Sequence, residues 1–112
     1  MTDNVYLRFL ELTQTLENQG HLSGVDPTAG KLLEAIAVAC SQNKALNVSD
    51  VMALKSIASP ATLHRKIEDL VTAGYVEYRF LGHDRRVKFL YTTEAANRYF
   101  ENMGEALVRM MK

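Results

Sequence analysis

The stretch Ser59-Pro-Ala-Thr-Leu-His-Arg-Lys-Ile-Glu-Asp-Leu-Val-Thr-Ala-Gly74 runs directly into Tyr75-Val-Glu-Tyr-Arg-Phe80, and the change of period at that junction decides the fold. Ser59 then Pro60 is a helix cap followed by a proline at the first helical position, where its missing N–H costs nothing. Leu63, Ile67, Leu70 and Val71 recur at helical spacing and mark one buried face, and Gly74 stops the helix. From Tyr75 the period becomes two, with Val76, Tyr78 and Phe80 set against Tyr75, Glu77 and Arg79; Val87, Phe89 and Tyr91 alternate in the same way. Leu81-Gly-His-Asp-Arg-Arg86 lies between the two runs and reads as the tip of a hairpin carrying adjacent arginines.

Working outward, Asn47-x-x-Asp50 reads as the cap of a short helix containing Val51, Met52 and Leu54. Asp26-Pro27 starts a longer helix carrying Leu32, Leu33, Ile36, Ala37 and Cys40, which fades at Ser41-Gln-Asn-Lys44. Val5, Phe9, Leu12 and Leu16 predict a first helix over about residues 3 to 19, ended by Gly20. Thr92-Thr93 opens a last helix about 30 Å long. No internal repeat or low-complexity segment interrupts the order. Helix, short helix, turn, helix, hairpin is the order of a winged helix-turn-helix. The expected fold class is mainly α with a β wing, flanked by N- and C-terminal dimerisation helices. The 112 residues suit one domain, with an N-terminal helix over 1–20, a core over 27–92 and a C-terminal helix over 93–112.

That arrangement carries its own chemistry. The Ser59–Ala73 helix leaves Ala61, Thr62, His64, Arg65 and Glu68 on its open face. Small residues at a helix start allow close approach to duplex DNA, and the positive end of the helix dipole suits a phosphate. Arg65 is within reach of a guanine edge or a phosphate. Arg85 and Arg86, on the hairpin tip, suit an adjacent minor groove, where the potential is most negative. Ser59, Lys66, His83 and Lys88 complete the candidate DNA-contact set. Glu68 and Asp69 would repel phosphates, so only the first two helical turns are expected in the groove.

Two of these segments also resemble a known family. Ser59 to Val76 looks like the recognition helix and first wing strand of MarR-type transcriptional regulators. Asp84-Arg-Arg-Val-Lys-Phe-Leu-Tyr-Thr-Thr-Glu-Ala95 is similar to that family's wing and the start of its next helix, with equal spacing. The likeness extends over about residues 27 to 100. It implies a homodimeric DNA-binding regulator with Ala61, Thr62, His64 and Arg65 in the major groove. It further implies that Asp84 orients a wing arginine by a salt bridge and that Arg86 enters the minor groove. The turn before Ser59 is one residue longer than the family's usual turn and lacks its common glycine.

Dimerisation has a separate signal. Ala96, Phe100, Met103, Leu107 and Met110 are spaced 4, 3, 4 and 3, a seam of period 3.5, and Val5, Phe9, Leu12 and Leu16 form a shorter matching one. Candidate interface residues are therefore Val5, Phe9, Leu12, Leu16, Phe100, Met103, Leu107 and Met110. The alternative is that the two helices pack on each other within one chain.

Composition narrows the rest. Apolar residues make up 47% and charged residues 23%, as in globular domains, and the formal net charge is zero. The charge is uneven: residues 1 to 54 hold three basic and six acidic side chains, while 55 to 98 hold eight and five. A locally basic half suits a nucleic-acid face, and overall neutrality opposes indiscriminate binding to polyanions. Apolar runs are short and Met1-Thr-Asp-Asn4 has no leader pattern, so no membrane partner and a cytoplasmic location are expected. Cys40 is the single cysteine and reads as a small buried hydrophobe. His21, His64 and His83 show no ligand spacing, and no cofactor or metal is expected. Nor is there a phosphate loop or nucleophile motif, so the chain is not read as an enzyme. The reading is a sequence-specific duplex DNA-binding transcriptional regulator, a repressor acting as a homodimer; a small-molecule effector is left open. The competing reading is a winged-helix module that binds protein rather than DNA.

Overall fold

In the computed structural model, which describes residues 4–18 and 22–111, capping signals place the helix starts. α1 spans Val5–Asn18; its expected ends at residues 3, 19 and 20, the 21-position histidine and the Leu16 side chain lie outside what is described. α2 (Pro27–Ser41) begins where Asp26 accepts the Ala29 N–H at 2.8 Å. It ends with Asn43 at φ 57°, a left-handed value that asparagine tolerates. α3 (Val48–Met52) starts with a full capping box in which Asn47 and Asp50 bond each other's backbone N–H. It is shorter than expected: Ala53 caps its C-terminus and Leu54 lies outside it.

α4 (Pro60–Ala73) is capped by Ser59 and ends at Gly74, whose φ of 87° is one that residues with a Cβ rarely adopt. β2 (Val76–Phe80) and β3 (Lys88–Thr92) pair antiparallel, with Val76 opposite Thr92 and Phe80 opposite Lys88. A two-residue strand, β1 (Leu46–Asn47), adds to the other edge of β3 and gives the order β1-β3-β2. Sequence reading missed β1. It also took 87, 89 and 91 as the regular face of the second wing strand, whereas Leu90 is its buried residue. Register decides this: Leu90 pairs with Leu46 on one side and Tyr78 on the other, which turns it toward the helices. α5 (Glu94–Met111) follows, with Thr93 accepting the Ala96 N–H.

Gly24–Ala96 forms one compact unit. Its interior gathers Leu32, Leu33 and Ile36 from α2, Val51 from α3, Leu63, Ile67 and Leu70 from α4, and Val76 and Leu90 from the sheet. Each such side chain contributes about 1.5–3 kcal/mol on burial. Val71, Ala37 and Cys40, expected inside, are only half-buried. The Cys40 thiol donates to the Leu90 carbonyl at 3.5 Å, tying α2 to β3. α1 and the part of α5 from Asn97 onward form a second unit. There the Arg8 guanidinium donates to the Met110 carbonyl at 2.6 Å, joining α1 to the last turn of α5. Among the described residues, no helix is long and apolar enough to cross a membrane.

Candidate nucleic-acid interface

The open face of α4 is built from its own cap. Ser59 holds the Thr62 N–H at 3.4 Å and donates its hydroxyl to Thr62 Oγ1 at 3.1 Å. Arg65 in turn donates to Thr62 Oγ1 at 3.4 Å. Residues three apart on a helix are neighbours, so this row lays Arg65 along the exposed face. Ala61, His64 and Arg65 are exposed and Thr62 is half-exposed, whereas Leu63, Ile67 and Leu70 are sealed beneath them. The N-terminal amides of α4 thus stand beside small side chains and one guanidinium.

Lys66 sits differently from the rest of the candidate set. Its ammonium pairs with Asp26, the cap of α2, and lies 3.7 Å from Asp69. The Ala29 amide and Lys66 together hold the Asp26 carboxyl below the usual carboxylate range, and Asp26 raises Lys66 above its ordinary value. The lysine fastens α4 to the start of α2, and its charge is balanced where it stands.

The wing carries three cation–aromatic contacts. Arg85 lies 5.2 Å from the centre of the Phe80 ring, Lys88 lies 5.1 Å from Tyr78, and Arg79 lies 4.7 Å from Tyr91. Arg79 also donates to Glu77 at 2.6 Å. At the tip, Gly82 turns the chain at φ 64°. Asp84 then accepts the Arg86 backbone N–H at 2.9 Å and its Nε at 3.1 Å. These bonds, side chain first, lower the Asp84 pKa. The Arg86 side chain remains 89% exposed, so the pair aims a guanidinium into solvent rather than hiding it. His83 and Arg85 are exposed beside it. The α4 face and the wing tip belong to the same compact unit.

Sequence reading did not find the contact between these two parts. The Tyr78 hydroxyl, on β2, donates to Glu68 Oε1, on α4, at 3.0 Å. Burial, then the bond to Glu68, raises the Tyr78 pKa. The strand alternation placed Tyr78 on the Val76 side, but nothing local pointed to Glu68. At the base of the hairpin, Thr93 donates to the Gly74 carbonyl at 2.6 Å.

The terminal-helix residues form a separate group. Val5 and Phe9 are exposed, and Leu12, Phe100, Met103, Leu107 and Met110 are half-buried. Tyr6, Leu7, Val108 and Met111 add further exposed apolar area. Among the described residues, no three His, Cys, Asp or Glu side chains gather to hold a metal ion.

No protein-family model matches the chain, and no curated protein matches its sequence. Solved structures match its fold. A transcriptional regulator from Thermotoga maritima superposes with a TM-score of 0.68 at 17% identity, covering 95% of this chain and 68% of that one. A MarR protein from Peptoclostridium difficile gives 0.55 at 20% identity, covering 99% and 72%. The heme sensor PefR from Streptococcus agalactiae, solved in complex with heme, gives 0.54 at 19% identity, covering 98% and 80%. The fold is the winged helix of MarR-type regulators.

Proposed function

We propose that this chain is a sequence-specific duplex DNA-binding transcriptional regulator that acts as a homodimer and represses by occupying its site. The observation that carries the reading is the pairing, within one unit, of an open helix face holding Thr62, His64 and Arg65 with a wing that presents Arg85 and Arg86. The first two turns of α4 enter the major groove, where Arg65 reads a base edge. Ser59, Ala61 and Thr62 approach the backbone, and His83, Lys88 and the wing arginines follow the adjacent minor groove. Lys66 contributes little net charge because Asp26 and Asp69 balance it. Apolar α1 and α5 surfaces meet those of a second copy, which sets two readers on half-sites about 34 Å apart. The similarity to transcriptional regulators supports the reading, and the heme sensor among them brings a small-molecule effector into it. The protein acts in the cytoplasm, where its DNA is.

Fluorescence anisotropy tests this with duplexes selected by the protein from a random library and titrated across salt. Tight binding to the selected sequence, with log affinity falling steeply against log salt, is the expected result. Arg65→Ala should cost about 1–3 kcal/mol and relax preference at one position, while Arg86→Ala should weaken binding to all sequences and lower the salt slope by about one. Failure of the folded protein to bind any duplex beyond the non-specific level would overturn the reading and leave the protein-binding module.

A further inference from the structure

We infer that Tyr78 is a positioning residue that sets the wing against the recognition helix, and so sets where the wing arginines stand when α4 is in its groove. This rests on the DNA-binding reading above. A two-stranded ribbon is marginal by itself and bends easily. Here β1 braces the β3 side as far as Phe89, the partner of Asn47. Among the described residues, no strand lies outside β2, where the sheet ends. Tyr78 supplies the brace on that side. Its ring lies under the Lys88 ammonium from the neighbouring strand, and its hydroxyl reaches Glu68 on α4. Only Arg79 and Phe80 of β2 lie between this brace and the tip.

The bond is suited to positioning. A hydroxyl donating to a carboxylate is directional and stronger than a neutral pair, and here it spans 3.0 Å. It also occupies Glu68, which shares a helical stripe with Ala61 and Arg65. The carboxylate that would otherwise oppose phosphate is turned to the wing, with Lys88 close to the same ring. One contact therefore fixes the hairpin to α4 and draws the Glu68 carboxylate toward the wing.

Tyr78→Phe keeps the ring and the Lys88 contact and deletes only the hydroxyl. Its affinity for the selected duplex should fall roughly tenfold, with the thermal midpoint nearly unchanged. If Tyr78 acts by placing the tip arginines, the same substitution should do much less in an Arg85→Ala/Arg86→Ala background, because the two guanidinium groups it would misplace are gone. Unchanged affinity in the single variant, or an equal loss in the wing-arginine background, overturns the inference and leaves the DNA-binding reading intact. If the wild-type protein binds no duplex, that reading fails and the inference is decided on free protein. Spin labels at His64→Cys and His83→Cys, in a Cys40→Ser background, report the helix-to-wing distance. Tyr78→Phe should broaden its distribution, and an unaltered distribution overturns the inference.

Discussion

Between Gly24 and Ala96 the chain covers most of its own large apolar side chains, Val38, Phe80 and Leu81 excepted: Leu32, Leu33, Ile36, Val51, Leu63 and Leu70 are wholly buried, drawn from three helices and sealed by the sheet. In α1 and the late part of α5 the same kinds of residue stay in water. Val5, Tyr6, Leu7, Val108 and Met111 are each more than half exposed. Both regions are helical and both carry apolar stripes at helical spacing. The difference is what supplies the other wall. In the first region α2, α3, α4 and the sheet converge, while in the second two helices leave several large apolar side chains exposed. An apolar stripe in a sequence therefore says that a face is to be covered, and says nothing of whether the cover comes from the same chain.

The comparison is broken most directly from the buried side. Leu63→Ala should cost about 2–5 kcal/mol, since the cavity lies among side chains that cannot all collapse into it. Urea unfolding should give that loss at every protein concentration. A loss near zero would mean that the Gly24–Ala96 interior is not the stabilising core. The exposed side predicts the opposite dependence. Phe9→Asp should leave the fold intact but drive the protein to a monomer, with dimer dissociation at least a hundredfold stronger, in sedimentation equilibrium. The wild-type melting point should rise with protein concentration and that of Phe9→Asp should not. A wild-type monomer at every concentration would remove the dimer from the functional reading.

Gly104 sharpens the same contrast with a smaller effect. It lies inside α5, and a Cβ placed there meets nothing within 4 Å. Glycine in a helix interior is worse than alanine by about 0.5–1 kcal/mol, so Gly104→Ala should stabilise an isolated chain by that amount. A second copy packed against the bare backbone would reverse the sign. Measuring the variant at low and high protein concentration separates the two cases.

How far the sequence could be read follows from how far apart the interacting residues lie. Asp26-Pro27, the Asn47–Asp50 box, Ser59-Pro60 and Gly74 act within four residues, and each helix boundary they mark is found where they put it. β1 was illegible because a two-residue strand has no period, and exists only through pairing with Leu90 and Phe89 more than forty residues on. The buried position of β3 was misread for the same reason: Phe89, Leu90 and Tyr91 are all apolar, so only the neighbours' register chooses among them. In the candidate site, the hairpin-tip arginines were legible from the strand alternation around them, and a salt bridge from Asp84 to a wing arginine from the resemblance, with Arg86 identified as that arginine by the structure. The pairing of Lys66 with Asp26 was not, since it joins residues forty apart, and a basic residue on a recognition helix looks alike whether it meets DNA or a carboxylate.

That ion pair makes the smallest of the predictions and tests whether the lysine is structural. The folded Asp26 pKa lies below its ordinary 3.8, so the carboxylate's contribution to stability is present above that value and is lost as pH falls through the lower folded one. The folded Lys66 pKa lies above 10.5, so its contribution is present below that value and is lost as pH rises through the higher folded one. The pair therefore acts across the whole neutral range. Asp26→Asn keeps an acceptor for the Ala29 amide and removes only the charge. Denaturant melts should show a slightly lower stability at pH 7, a gap that closes as pH falls below about 4. Asp84 titrates in the same range, but it is present in both proteins and cancels in the difference. No gap at pH 7 would mean that Asp26 stabilises only as a cap, a role asparagine also fills. Lys66 would then be free to spend its charge on phosphate, and the DNA salt slope of Lys66→Met would fall as that of Arg86→Ala does.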